Sequence, residues 1–158
     1  ISIKILKEFV DHNILQYHIK TDQFLYFYIF FICNNCNILI TTGGLGPTFD
    51  DITNQAISNA FNIPIEEKEE IKIDIIKKIN KRKVSKKSIS KQSSVPLNSK
   101  ILKNEIGTAP GVILTPKHEF TIITLPGVPS EMKEMWHKSV IPWLKNNIFE
   151  NKIIISKI

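Results

Sequence analysis

The hydrophobic positions of this chain change period several times, and each change predicts a new element. Ile3, Leu6, Phe9 and Val10 recur at helical spacing, which predicts an amphipathic helix over residues 1 to 11. His12-Asn13 breaks it, and Ile14 to Lys20 reads as a strand ended by Thr21-Asp22-Gln23. Phe24 to Cys33 is strongly aromatic, a composition that favours strand. Its place between two strand candidates with short connections predicts a helical crossover instead. Ile38 to Thr42 is the clearest central strand. After a glycine loop, Ile52, Ala56, Ile57, Ala60 and Phe61 make one helical face, ended by Asn62 and Pro64.

Glu66 to Asn80 predicts a charged helix whose apolar stripe is Ile71, Ile75, Ile76 and Ile79. Residues 92 to 111 hold turns and few long apolar runs. Val112 to Leu114 and Thr121 to Leu125 predict strands joined through Pro116-Lys117-His118-Glu119 as a hairpin. Pro126-Gly127-Val128-Pro129 is a second tight loop, after which Ser130 is expected to cap a helix carrying Met132, Met135, Trp136 and Val140. This order predicts an α/β domain over residues 1 to 150, a three-layer sandwich with a mostly parallel sheet and one hairpin. Residues 151 to 158 then begin a further strand or a linker.

Composition narrows the classes. At 158 residues with 42% hydrophobic and 23% charged side chains, the chain fits one domain with a real core. Its net charge of +6 comes largely from Lys77 to Lys91, which holds eight basic residues and no acidic one. That run has no interleaved aromatic to stack a base and matches no nucleic-acid-binding module, so no nucleic-acid partner is expected. FLYFYIFFI, residues 24 to 32, falls well short of the roughly 20 apolar residues of a membrane span. With no signal peptide in view, a cytoplasmic setting is expected. Cys33 and Cys36 precede a strand and have no second pair, so they read as incidental thiols. The four histidines form no ligand motif.

The candidate chemistry lies in ILITTGGLGPTFDD, residues 38 to 51. Gly43, Gly44 and Gly46 with Pro47 follow a buried strand, where ligands of open α/β sheets bind. Glycine lets a ligand approach the backbone, and a following helix start offers N–H groups to phosphate. Asp50 and Asp51 repel bare phosphate, so they suit a divalent cation bridging to it, while Thr48 and Thr53 add hydroxyl donors. The same residues also suit a plain strand-to-helix turn with an acidic helix start. Neither the dinucleotide fingerprint nor the Walker A loop is present. Gly127, Pro129 and Ser130 repeat the strand–turn–helix arrangement, and GTAPG at 107 to 111 suits a rigid wall.

Three stretches taken together, TTGGLGPTFDDIT at 41 to 53, GTAPG at 107 to 111 and LPGVPSEMKEMW at 125 to 136, resemble the molybdopterin-binding-like domain of the competence-damage-inducible CinA family. KQSSVPLNSKILKN, residues 91 to 104, resembles the family stretch that leads into GTAPG. The resemblance implies a molybdopterin-binding-like (Mog-type) fold. It makes Gly43, Gly44, Gly46 and Pro47 the nucleotide or pyrophosphate loop, with Gly127, Pro129, Ser130 and Glu131 as the second. Asp50 and Asp51 match its acidic, metal-handling positions and are the implied catalytic pair, and Asp22, a third implied metal residue, matches the acid of a turn after the second strand. Such domains open with a strand and a glycine-acidic loop, so a partial domain is expected here, without the amidase domain that often accompanies it.

The function implied is hydrolysis of a nucleotide pyrophosphate such as ADP-ribose, dependent on a divalent metal ion (Mg, Mn or Co). Molybdopterin binding or adenylyl transfer in the same pocket stays open, as does a non-catalytic nucleotide-binding remnant. The expected partner is a nucleotide or pterin phosphate, with no membrane, and a homo-oligomer also stays open.

Overall fold

The computed structural model describes residues 2–6, 14–18, 29, 36–79 and 84–147. Its strands are β1 (Ser2–Leu6), β2 (Ile14–His18), β3 (Ile38–Thr42), β4 (Ile65–Glu67), β5 (Ser94–Pro96), β6 (Lys100–Leu102), β7 (Gly111–Lys117) and β8 (Phe120–Leu125). Its helices are α1 (Thr53–Phe61), α2 (Glu69–Ile79), α3 (Lys86–Ser93), α4 (Pro129–Met135) and α5 (Ile141–Asn147), with a π-helical turn at Trp136–Val140 joining the last two. Six strands form one sheet in the order β2-β1-β3-β8-β7-β6, and β4 with β5 forms a separate pair.

The sheet is mixed, which corrects the mostly parallel sheet expected from the sequence. Only β3 and β8 run parallel, whereas the other four pairings of the six strands are antiparallel. Two local causes account for this. β7 and β8 are joined by His118-Glu119 alone, and so short a link permits only antiparallel pairing. Glu119 adopts a left-handed φ of 59° to make the turn. β1, the second cause, is a strand where a helix was expected, and it pairs antiparallel with both β2 and β3. Ile3 and Ile5 alternate with Ser2 and Lys4, a period of two that β-branched side chains reinforce. Residues 7 to 11 lie outside the described residues.

Two further boundaries differ from the periodicity. Ile65–Glu67 pairs antiparallel with Ser94–Pro96, so the charged helix starts at Glu69 rather than Glu66. Ser130 caps nothing. Pro129 occupies the first turn, and the N-cap is Val128 with no side-chain bond, because proline's fixed φ and missing N–H favour that position. In the expected Phe24 to Cys33 helix, Ile29 is helical and fully buried, and the remaining residues of that segment lie outside the described ones. So do residues 151 to 158.

Helices cover both faces of the sheet. On one, Leu39 of β3 and Ile122 of β8 pack with Ala56 and Ile57 of α1, and with Ile29. Phe120 extends this layer, its ring 5.8 Å from that of Phe61. On the other face, Ile38, Ile40, Ile123 and Leu125 pack against Met135, Val140 and Leu144. β8 is buried at all six positions, as a strand covered on both faces must be. A third cluster, Ile71, Ile75, Val95 and Val112, joins α2 and β5 to β7. No described helix is long and apolar enough to cross a membrane.

Candidate functional site

The one parallel pair positions the site. β3 and β8 end side by side, so their following loops, Gly43–Pro47 and Pro126–Val128, meet above the sheet. Gly43 donates its N–H to the Leu125 carbonyl at 2.9 Å. A Cβ on Gly127 would come within 3.3 Å of the Gly43 Cα, so glycine at 127 lets the loops touch. Gly43 and Gly44 hold φ of 91° and 69°, values that side-chain-bearing residues rarely adopt. Together with the Thr108-Ala109 wall these loops enclose a cavity of about 330 Å³.

Thr53, at the start of α1, fixes the glycine loop from below. It is fully buried, its hydroxyl donates to the Gly43 carbonyl at 2.9 Å, and its N–H donates to the Gly44 carbonyl at 3.1 Å. Its hydroxyl is therefore committed to the loop rather than offered to a ligand. By contrast, the N–H groups of Gly44, Leu45 and Gly46 have no partner among the described residues. Backbone donors left this way beside a cavity suit anionic oxygens.

Asp51 lines the cavity, whereas Asp50 is exposed and lies outside its lining. Asp51 Oδ2 accepts from the Thr48 N–H at 2.9 Å and from the Thr48 hydroxyl at 2.5 Å. Its carboxyl also occupies the space of a Gly46 Cβ, with Oδ2 only 2.5 Å away. Asp50 Oδ1 accepts from the same hydroxyl at 2.7 Å. That bond first, then Asp50's own backbone N–H and the nearby Lys91 charge, hold the Asp50 carboxyl below its ordinary pKa against a smaller desolvation effect. Lys91 itself bonds the Thr48 and Phe49 carbonyls, which ties α3 to the acidic turn.

Of the residues singled out from the sequence, Gly43, Gly44, Gly46, Asp51 and Gly127 line the cavity together. Pro47, Thr48, Asp50, Thr53, Pro129 and Ser130 stand outside its lining as supports or helix starts. Asp22 lies outside the described residues. Sequence reasoning gave Gln92 no role, yet it is buried at the cavity wall and donates to the Thr108 hydroxyl at 3.2 Å. Its only signal was its place in the KQSSVPLNSKILKN stretch. Glu131 also lines the cavity, and among the described residues no Lys, Arg or His does.

No group of three His, Cys, Asp or Glu side chains that could hold a metal ion forms among the described residues. A resident cage is thus absent from them. A carboxylate such as Asp51 facing the cleft still fits a hard cation of the magnesium type, which completes its shell with ligand phosphate oxygens and water.

A family model described as a probable molybdopterin binding domain matches residues 30–146. The chain belongs to that family, as a Mog/MoaB-like domain of the kind found in CinA proteins. A CinA-like protein of Prochlorococcus marinus is 48% identical over 120 residues, which are 76% of this chain and 28% of that protein. A CinA-like protein of Thermosynechococcus vestitus is 42% identical over 126 residues, 80% of this chain and 30% of that protein. The chain thus spans less than a third of the length of these relatives. The crystal structure of CinA from Thermoplasma acidophilum, described as of unknown function, matches with a TM-score of 0.67 at 26% identity. The match covers 75% of this chain and 69% of that one.

Proposed function

We propose that the cleft binds the pyrophosphate of a nucleotide such as ADP-ribose and hydrolyses it with the help of a divalent cation. One observation supports this reading most: among the described residues, Asp51 shares its cavity with the unpartnered N–H groups of Gly44, Leu45 and Gly46, and no basic side chain lines that cavity. The N–H groups suit phosphate oxygens, while the Asp51 carboxylate beside them repels them. A cation between the two resolves the conflict, and Asp51 Oδ1, which has no hydrogen-bond partner among the described residues, is the atom to hold it. When bound, such a cation neutralises phosphate charge and activates water as a nucleophile. The chain's own part is positional. Thr48 fixes the Asp51 carboxyl, Thr53 and Leu125 fix the glycine loop, and Gly127 lets the two loops pack against each other. Asp50, outside the cavity, has the lesser part of supporting the turn.

The description of the family as a probable molybdopterin binding domain favours a second reading, in which the same cleft takes a pterin phosphate or performs adenylyl transfer. Phosphate release from ADP-ribose, coupled to a phosphatase, separates the two when run with and without Mg, Mn or Co. Asp51→Asn keeps size and polarity but removes the charge. It should cost on the order of a hundredfold in rate, about 3 kcal/mol, with the fold intact. Equal rates for wild type and variant would refute the role of Asp51. A folded but inactive wild type that binds molybdopterin establishes the second reading, and one that binds neither ligand is a non-catalytic remnant.

A further inference from the structure

We infer that Glu131, positioned by Asn104, is the residue of the cleft that accepts the ribose hydroxyls of a bound nucleotide; the inference rests on the nucleotide reading proposed above. Asn104 is only 2% exposed and spends its whole amide on this corner. Its Oδ1 accepts from the N–H groups of Ile106 and Gly107 at 3.1 and 2.8 Å, and its Nδ2 donates to the Ala109 carbonyl at 2.9 Å. The same Nδ2 donates to Glu131 Oε2 at 2.7 Å. Gly107 packs against that carboxyl so closely that a Cβ there would overlap it. A buried amide and a glycine thus hold one carboxylate in the cavity wall.

The chemistry of that wall selects the ligand group. Among the described residues, Glu131 has no Lys, Arg or His beside it in the cavity lining to balance its charge. With the proposed cation held at Asp51, a second carboxylate set against phosphate would repel it, so Glu131 suits an uncharged donor on the ligand. Oε2 is occupied by Asn104, and Oε1 has no hydrogen-bond partner among the described residues. On the nucleotide reading, the uncharged donors next to the phosphates are the ribose hydroxyls, and a vicinal pair can both turn to one carboxylate oxygen. Acidic side chains hold ribose hydroxyls in this way in dinucleotide-binding folds. The neighbouring walls, Thr108, Ala109 and Gly127, leave room for a sugar beside the phosphate loop.

The test is equilibrium binding by calorimetry, in the presence of magnesium, with inorganic pyrophosphate, ADP and 2′,3′-dideoxy-ADP as probes. Wild type should prefer ADP to its dideoxy analogue by about tenfold or more, the range of a hydrogen bond to a charged group. Glu131→Gln should remove that preference. Gly107→Ala, which displaces the carboxyl without altering it, should remove it too, and covers the case of a Gln variant that folds poorly. Retention of the preference in both folded variants would overturn the inference and leave the nucleotide reading standing. Wild type that binds neither pyrophosphate nor ADP would remove the nucleotide reading and the inference with it.

Discussion

Thr53 offers a sharp test of how the glycine loop is held. Its side chain is fully buried at the first position of α1, and its hydroxyl is the donor to the Gly43 carbonyl at 2.9 Å. Thr53→Val conserves shape and branching but replaces that donor with a methyl group. Gly43 O then loses its hydroxyl partner at a place where water has little access, at a cost of about 1–3 kcal/mol. Thr53→Ser keeps the hydroxyl and loses one buried methyl, which costs about 0.8 kcal/mol. The order of stability should therefore be wild type, then Ser, then Val, read as urea midpoints at unchanged slope. Ligand affinity should follow the same order, because the loop whose N–H groups face the cavity is the one released. If Thr53 instead donated to the ligand, the Val variant would lose affinity at wild-type stability. A Val variant as stable as wild type refutes the clasp.

Asp50 carries a depressed pKa, so its contribution is present above the unfolded value of about 3.9 and fades as pH falls through the lower folded value. Its midpoint, followed by carboxyl NMR, should lie below that value, and Thr48→Val should raise it by removing the leading cause. Phe120 is 1% exposed and packed on Phe61, so Phe120→Ala should cost about 3–5 kcal/mol in a denaturation experiment. Gly43, held at a φ of 91°, should tolerate alanine poorly. Gly43→Ala is expected to lose about 1–2 kcal/mol and to weaken pyrophosphate binding measured by calorimetry.

What could be read from the sequence was what is decided locally. Ile38 to Thr42 shows β-branched residues running into glycines, and both the strand and the turn after it depend on those residues alone. The hairpin of β7 and β8 was legible for the same reason. Which distant strands lie side by side, as β1 with β3 and β3 with β8, is a non-local property, and the sequence carries no periodicity for it. The helix α3 was missed because KKSISKQS has no apolar face, and its start depends on Ser85, whose hydroxyl accepts from the Ser88 N–H at 3.0 Å. The cavity shows the same division. Gly43, Gly44, Gly46 and Asp51 stand in one quoted stretch, while Gln92, Thr108, Gly127 and Glu131 reach the cavity from separate segments that only folding brings together.

The π-helical turn between α4 and α5 has a consequence for how this segment tolerates changes in length. Met135, Val140 and Leu144 all point into the sheet face, although the first two stand five residues apart and the last two four. A regular helix of 3.6 residues per turn would rotate a fifth residue off that face. The wider turn, closed by the Ile141 N–H on the Trp136 carbonyl, absorbs the surplus and restores the alignment. The segment therefore carries one residue more than its packing demands. Loss of a single position between Met135 and Val140 would leave an ordinary helix with the same three side chains facing inward, whereas a loss just ahead of Leu144 would disturb a four-residue spacing that regular helix geometry already satisfies. Length variation in this fold has a built-in place to occur, one that leaves the helix start beside the cleft undisturbed.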